Sequence, residues 1–211
     1  MKRICVMASG GGSGFQTILD GCAKGTINGQ VVRLIVTNAK VGAIDRAARA
    51  GVGSVVIAKR DFAQEGELHA ARHRAIVECK PDLIVLAGYL GVLPADTIQA
   101  FEGRVINIHP ALIPAFCGKG MYGRHVHEAV LEYGVKLSGA TAHFANEAID
   151  GGPVIAQRSV PVLDRDTPET LAARVLEVEH VLLPEVVALF CADRLVIEGR
   201  HVRVLGGNDT R

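Results

Sequence analysis

Short apolar runs alternate with stretches of helical periodicity along the first half of the chain. Residues 4–8 have the unbroken apolar character of a buried strand, and residues 15–23 place Ile18, Leu19 and Cys22 on one side of a helix. A β-α-β-α series of this kind predicts an α/β fold in which helices cover a doubly wound, mostly parallel sheet. The further predicted strands are residues 31–36, 54–57, 83–87 and 105–108, and the further predicted helices are residues 43–50 and 67–79.

The order of elements changes after the fifth predicted strand. A helix ends at Gly134, two strands flank a turn at Asp150, and a long helix begins after Thr167. Pro184 lies inside this helix, and we expect it to kink or break the helix because proline lacks the N–H that the helix needs. No repeat or low-complexity linker divides the chain, so we predict a single domain over residues 1–211. The elements predicted here are helices 126–133 and 168–190, strands 141–144 and 154–160, and a terminal hairpin of residues 195–197 and 202–205.

The composition argues against several classes of protein. The 23 lysines and arginines nearly balance the 22 aspartates and glutamates, and they are scattered, so the chain lacks the basic stripe of a nucleic-acid-binding protein. No apolar run reaches membrane-spanning length, and the run after Arg3 is too short for a signal peptide. The cysteines are odd in number and widely spaced, which argues against a zinc site or a disulfide framework and favours a reducing, cytoplasmic setting. They are Cys5, Cys22, Cys79, Cys117 and Cys191.

A glycine cluster, residues 9–14, follows the first strand and opens the first helix. Unpaired backbone N–H groups and the positive end of the helix dipole favour an anion at such a position. The cluster lacks the Gly-Lys-Ser/Thr of a P-loop, and its glycine spacing does not fit a dinucleotide fingerprint. A monophosphate is therefore the better ligand, and a tight strand-to-helix turn without a ligand is the alternative.

Asn107, His109 and Asp150 together supply an amide, an imidazole and a carboxylate. These are the groups needed to polarise a carbonyl and move a proton. Asn107 and His109 are two apart on a predicted strand, so both side chains should leave the same face of the sheet. Pro110 should end the strand at a loop, where chemistry usually sits. Asp150 follows on a separate turn and supplies a carboxylate. The alternative is a histidine at a strand end that serves only the fold.

Other polar positions carry weaker signals. His69 and His73 are four apart on a helix, but a solvated helix face is a better interpretation than a metal site. The His-x-His-Glu sequence that begins at His125 imitates a cluster of metal ligands. His143 on a predicted strand could face the site or be a hydrogen-bonded core histidine. Glu179 lies in an apolar part of the long helix, where it could be solvated or could read hydroxyls or an amine at the mouth of the site.

Four sequence segments together resemble the phosphoribosylglycinamide formyltransferases, within the wider group of enzymes that use 10-formyltetrahydrofolate. The resemblance extends from the first strand to about Phe190, which is nearly the whole chain. The Asn-x-His-Pro and Asp-Gly-Gly-Pro sequences are specific for the wider group, and the N-terminal glycine loop selects this member. The segments are Ala-Ser-Gly-x-Gly-Ser from Ala8, Leu-Ala-Gly-Tyr from Leu86, Asn-Ile-His-Pro-Ala-Leu-Ile-Pro from Asn107, and Ile-Asp-Gly-Gly-Pro-Val-Ile-Ala-Gln from Ile149.

The resemblance implies a formyltransferase fold with a Rossmann-like, phosphate-binding half over residues 1–105 and a catalytic, folate-binding half over residues 106–211. Three departures stand out: Gly14 replaces an asparagine found in many relatives, and Gly91 and Glu65 stand where some relatives have folate-contacting arginines. The implied catalytic residues are Asn107, His109 and Asp150. The implied ribonucleotide contacts are Gly12, Ser13, Gly14 and Glu179, and the implied folate contacts are Leu90, Gly91, Val92, Leu93 and Asn107.

The reaction implied is transfer of a formyl group from 10-formyltetrahydrofolate, as co-substrate, to the amine of 5'-phosphoribosylglycinamide in purine biosynthesis. The expected partners are small molecules, without metal, nucleic acid or membrane, and the expected state is a monomer or homodimer. Two alternatives remain. One is a related formyl-group enzyme, a formyltetrahydrofolate hydrolase or a methionyl-tRNA formyltransferase, although the added domains expected of those enzymes are not found here. The other is a phosphate-binding module without catalysis.

Overall fold

A continuous parallel sheet forms the first half of the protein. The computed structural model describes residues 1–206, and the last part of the predicted 1–211 domain lies outside them. The parallel strands occur in the order β3-β2-β1-β4-β5, and the crossovers between them are helical, as the β-α-β-α series predicts. The elements are β1 (Lys2–Ala8), α1 (Ser13–Ala23), β2 (Gly29–Val36), α2 (Gly42–Arg49), β3 (Ser54–Val56), α3 (Glu65–Glu78), β4 (Leu83–Leu86), α4 (Ala95–Ala100) and β5 (Val105–His109).

Mostly antiparallel strands extend the same sheet beyond β5. β5 pairs with β6, and β6 with β7, in antiparallel fashion, and a terminal hairpin completes the order β5-β6-β7-β9-β8. Because β5 and β6 run in opposite directions, His109 at the end of β5 lies opposite Thr141 in the middle of β6, and the turn between β6 and β7 begins beside the start of β5. The elements are α5 (Arg124–Tyr133), β6 (Leu137–Phe144), β7 (Val154–Pro161), α6 (Pro168–Cys191), β8 (Leu195–Glu198) and β9 (His201–Val204).

Two apolar cores cover the two faces of the sheet. The larger core joins α1 and α6 to one face, through buried residues that include Phe15, Leu171 and Val186. The smaller core packs α3 and α4 on the other face, with Leu68 and Ile98 among its buried residues. Both cores are built on β1 and β4, whose side chains are almost all buried, and this explains their continuous apolar sequences.

Two helices differ from the sequence-based expectation. α6 continues without a break from Pro168 to Cys191, so Pro184, expected to kink or break the helix, does not break it. The lost hydrogen bond is offset by packing, because Leu183 and Val186, next to the proline, are fully buried against the sheet and α1. α4 was not predicted, because its six residues are too few to show a helical period.

Candidate active site

A cavity of about 920 Å³ opens at the carboxyl ends of β1, β4 and β5. Ligands of doubly wound sheets bind in this position, outside the strand ends. The cavity is lined by the segments that follow these strands, by the loop before α5, by the turn between β6 and β7, and by one side of α6. Asn107, His109, Asp150 and Glu179 all contribute to its wall, and so do Leu90, Gly91, Val92 and Leu93.

Asn107 is held by two acceptors on neighbouring elements. Its Nδ2 donates to Nε2 of His143, at 3.0 Å, and to Oδ1 of Asp150, at 3.3 Å. If the Asn107 amide were flipped, its oxygen would face the Asp150 carboxylate, and both groups are acceptors. The orientation with Nδ2 toward Asp150 is therefore favoured. Because Nδ1 of His143 lies 2.9 Å from the Phe144 carbonyl and donates to it, Nε2 of a neutral His143 is free to accept. His143 therefore lines the cavity and is also a buried, hydrogen-bonded histidine, so both interpretations of the sequence describe it.

His109 is oriented by a backbone carbonyl that the sequence did not predict. Its Nε2 lies 2.8 Å from the oxygen of Phe116 and donates to it, which leaves Nδ1 on the side of Asp150. Nδ1 and Oδ2 of Asp150 are 3.6 Å apart, too far for a hydrogen bond, and both side chains are more than nine-tenths buried. Asp150 thus acts on His109 through its charge, and Phe116 fixes the direction of the ring.

The Asp-Gly-Gly turn presents the carboxylate through tight backbone packing. Asp150 has a positive φ of 54°, and a Cβ at Gly152 would lie 1.8 Å from the Phe144 carbonyl, so only glycine fits there. The N–H of Gly118 donates to Oδ2 of Asp150 at 2.9 Å. Burial raises the pKa of the Asp150 carboxyl, but its polar surroundings, including the Gly118 N–H that donates to it and the nearby His109, outweigh burial and lower the pKa below its usual value. The carboxylate is therefore ionised throughout the neutral range.

The glycine loop forms an open helix terminus beside α2. Gly12 has a φ of 73°, and a Cβ there would lie 2.7 Å from that of Ala43, so both conformation and space require glycine. No side chain in the described part of the chain caps α1, which leaves its first N–H groups directed out of the helix. Arg46 donates to the Gly11 carbonyl at 2.9 Å and fixes the loop. The geometry is that of an anion-binding terminus.

The predicted ribonucleotide residues divide between two places. Ser9 and Gly10 line the cavity, whereas Gly12, Ser13 and Gly14 lie beyond its wall at the start of α1. The α-carbon of Gly14 faces the core, because a Cβ there would lie 3.3 Å from Leu183. Glu179 therefore lines the cavity wall, whereas Gly12, Ser13 and Gly14 lie at one end of the cavity.

Ser9 joins the glycine loop to the segment after β4. Its hydroxyl accepts the N–H of Leu90 at 2.9 Å, and its own N–H donates to the Gly88 carbonyl at 3.0 Å. The side chains of Leu90 and Val92 are more than half exposed along the cavity wall. Exposed aliphatic side chains at a concave surface are suited to a flat, largely apolar ligand.

Glu179 is a half-buried residue on the cavity side of α6. Burial raises the pKa of the Glu179 carboxyl to about 7. The group is therefore poised between its neutral and charged forms near neutral pH, and a ligand that offers hydroxyl groups would shift this balance.

Replacing Glu179 with glutamine is expected to flatten the pH dependence of stability. A carboxyl whose pKa is raised in the folded state contributes stability below its unfolded pKa and loses it as the pH rises to the folded value. Relative to Glu179→Gln, the wild-type free energy of unfolding should therefore fall between pH 4.5 and pH 7, by about 3 kcal/mol at most. Urea denaturation across this range measures the effect. Glu177→Gln, at an exposed position of the same helix, is the control and should retain the wild-type slope.

Several residues of the cavity wall were missed in the sequence. Asn146, Glu147 and Ala148 line it from the turn before Asp150, and the loop at residues 118–123 also lines it. His127 on α5 also contributes; its buried Nδ1 has no hydrogen-bond partner among residues 1–206, and burial lowers the pKa of its imidazole. The His-x-His-Glu sequence was the only signal of this position, and it was interpreted as a possible metal pattern.

The weak metal patterns stay apart in space. His73 pairs with the hydroxyl of Thr97 at 2.9 Å, and His125 lies 3.3 Å from Glu128. Within residues 1–206, no three histidine, cysteine or acidic side chains gather into a metal-binding group. None of the helices in this part of the chain combines the length and apolar character needed to cross a bilayer.

Comparisons with known proteins point in one direction. The sequence profile described as "Formyl transferase" matches residues 2–187. A chloroplastic phosphoribosylglycinamide formyltransferase of Arabidopsis thaliana is 44% identical over 92% of this chain, which spans 67% of that protein. The phosphoribosylglycinamide formyltransferase of Haemophilus influenzae is 35% identical over 92% of this chain and 90% of its own length. The crystal structure of glycinamide ribonucleotide transformylase 1 from Symbiobacterium toebii superposes with a TM-score of 0.91 at 41% identity, covering 97% of this chain and 94% of that one.

Proposed function

The chain belongs to the formyl transferase family, and we propose that it transfers the formyl group of 10-formyltetrahydrofolate to the amine of 5'-phosphoribosylglycinamide. The product, formylglycinamide ribonucleotide, is an intermediate of purine biosynthesis. The observation that carries the proposal is the cluster of Asn107, His109 and Asp150 in one cavity between the glycine loop and an aliphatic wall.

The two ends of the cavity suit two different substrates. The glycine loop at Gly12, Ser13 and Gly14 offers backbone N–H groups for the ribose phosphate, and Glu179 offers a carboxyl for the ribonucleotide's hydroxyls. The aliphatic wall, residues 90–93, suits the pterin ring. A cavity of about 920 Å³ is large enough for both substrates. The site thus spans the proposed phosphate-binding half, residues 1–105, and the proposed catalytic half, residues 106–211.

Catalysis in this proposal is direct attack of the substrate amine on the formyl carbon. The formyl oxygen becomes negatively charged as the new C–N bond forms, and donors aimed at it can each contribute roughly 3–4 kcal/mol. His109 can supply one such donor only through its Nδ1–H, because Nε2 is held by the Phe116 carbonyl, and the buried carboxylate of Asp150, 3.6 Å from Nδ1, attracts positive charge on the ring.

Asn107 supplies the second donor when one of its N–H groups changes its acceptor from Asp150 to the formyl oxygen. Both of its N–H groups are already engaged, and the 3.3 Å bond to Asp150 is the longer of the two. The proposal is that the formyl oxygen replaces Asp150 as acceptor, while His143 keeps the amide in place. The proton of the attacking amine then passes to the folate nitrogen as the old C–N bond breaks, through Asp150, His109 or water. No protein nucleophile is needed.

To test the proposal, the purified protein is incubated with 10-formyltetrahydrofolate in the presence and in the absence of the ribonucleotide. Formyl transfer only when the ribonucleotide is present is the expected result. Release of formate at the same rate in both mixtures would indicate a hydrolase instead. Folate that remains unchanged in both mixtures would exclude the proposed activity. We propose that the reaction takes place in a reducing cytoplasm, in keeping with five cysteines that are all free thiols.

A further inference from the structure

A charged side chain occupies the buried face of α3. Leu68, Ala75 and Ile76 are the buried apolar residues of this face, and Arg72 lies among them with only 6% of its surface exposed. Burying a guanidinium without an anionic partner is unfavourable. A residue retained at such a position needs contacts that compensate for the lost hydration, and those contacts point to its role.

The contacts of Arg72 lead to the segment that lines the cavity. Its Nη1 donates to the carbonyl of Val92 at 3.3 Å, and its guanidinium carbon lies 5.7 Å from the centre of the Tyr89 ring. In residues 1–206 no carboxylate forms an ion pair with Arg72, and its Nε has no acceptor. A carbonyl and an aromatic ring of one segment are thus the groups that stabilise this cation.

Gly91 completes the arrangement by making room for Tyr89. A Cβ at Gly91 would lie 2.5 Å from the Tyr89 hydroxyl and 2.6 Å from the ring carbon that bears it. The Tyr89 ring therefore lies against the backbone of Gly91, and the Arg72 guanidinium lies near the ring. Leu90 and Val92 line the cavity, with 63% and 55% of their surfaces exposed. The segment thus makes polar contacts with Arg72 and presents exposed aliphatic side chains to the cavity.

We infer that Arg72 is a positioning residue for the folate-binding segment, residues 90–93. It holds the segment through the Val92 carbonyl and the Tyr89 ring, and Gly91 is the residue that allows this packing. The exposed aliphatic side chains are thereby kept at a fixed distance from Asn107 and His109 across the cavity. The inference rests on the proposed function, because it assigns the folate to this segment.

The first test replaces Arg72 with methionine, which fills similar volume without charge. The KM for 10-formyltetrahydrofolate should rise by about tenfold, the size of effect expected when a charge-assisted hydrogen bond is lost. The kcat and the KM for the ribonucleotide should change by less than about twofold. Arg74→Met, the same substitution at an exposed position of α3, is the control and should match the wild type. Arg72→Lys, which keeps a donor for Val92 but not the planar stacking, should fall between.

A second readout does not depend on activity. Amide hydrogen exchange in residues 89–93 should be faster in Arg72→Met than in Arg74→Met, because the segment loses its anchor. If both variants match the wild type in exchange and in both KM values, the inference is overturned. If the wild type transfers no formyl group but Arg72→Met still exchanges faster, the proposed function fails and the positioning of the segment stands.

A mutant cycle tests the part played by Gly91. Gly91→Ala should raise the KM for the folate in the wild-type background, because the new Cβ displaces Tyr89. The same substitution should have a smaller effect in a Tyr89→Leu background, where the ring is absent. An equal effect in both backgrounds would mean that alanine obstructs the ligand itself, and it would contradict the proposed packing of Tyr89 against the segment.

Discussion

Replacing Asp150 with asparagine is expected to lower kcat by about three orders of magnitude, while both KM values change by only a few fold. The carboxylate accepts N–H groups from Gly118 and Asn107 and faces the imidazoles of His109 and His143. The Nδ2 of an asparagine at this position would face the N–H of either Gly118 or Asn107, so that two donors would oppose each other. The substitution would also remove the negative charge that stabilises protonated His109. Steady-state kinetics at neutral pH measure the loss.

The control for this prediction is Asp164→Asn, a change at a side chain that is 96% exposed. It should leave turnover at the wild-type value. Because the pKa of Asp150 is lowered in the folded protein, its contribution to stability is present above its unfolded pKa and is lost as the pH falls through the folded value. The unfolding free energies of wild type and Asp150→Asn should therefore converge in acid. Turnover near the wild-type value in Asp150→Asn would exclude this carboxylate from the chemistry.

The parallel half of the fold could be predicted because its strands carry their own signal. β1 and β4 are buried on both faces, and so their sequences are continuous apolar runs that need no partner to be recognised. β6 gives the opposite result. It begins at Leu137, four residues before the predicted start, because Ser138 and Gly139 have no strand propensity of their own and are held in the sheet by pairing with β7.

The candidate site was predictable to the extent that it depends on local sequence. The alternation of Asn107 and His109 on β5 and the glycines after Asp150 specify which side chains reach the cavity. The partner of His109 was not predictable. The Phe116 carbonyl reaches Nε2 because Phe116 has a left-handed conformation, with a φ of 50°, and its ring packs edge-on against Tyr133. Such a contact depends on tertiary packing, and no pattern in the sequence encodes it.

Replacing His109 with glutamine is expected to lower kcat by roughly two to four orders of magnitude, the range for loss of a positioned acid–base group. Glutamine can still donate to the Phe116 carbonyl, so the loop after β5 should keep its place, but it cannot carry the positive charge that faces Asp150 and the formyl oxygen. Both KM values should change little, and His69→Gln, on α3 away from the cavity, should match the wild type.

Combining this change with Asp150→Asn tests whether the two residues act as a unit. If Asp150 works by stabilising protonated His109, the double variant should be hardly slower than the slower single variant, because the carboxylate has nothing left to stabilise. If the effects multiply instead, Asp150 must act by a separate route, such as accepting the proton of the amine directly or through water. Single-turnover rates of the four proteins distinguish these outcomes, since they report the chemical step without substrate binding or product release.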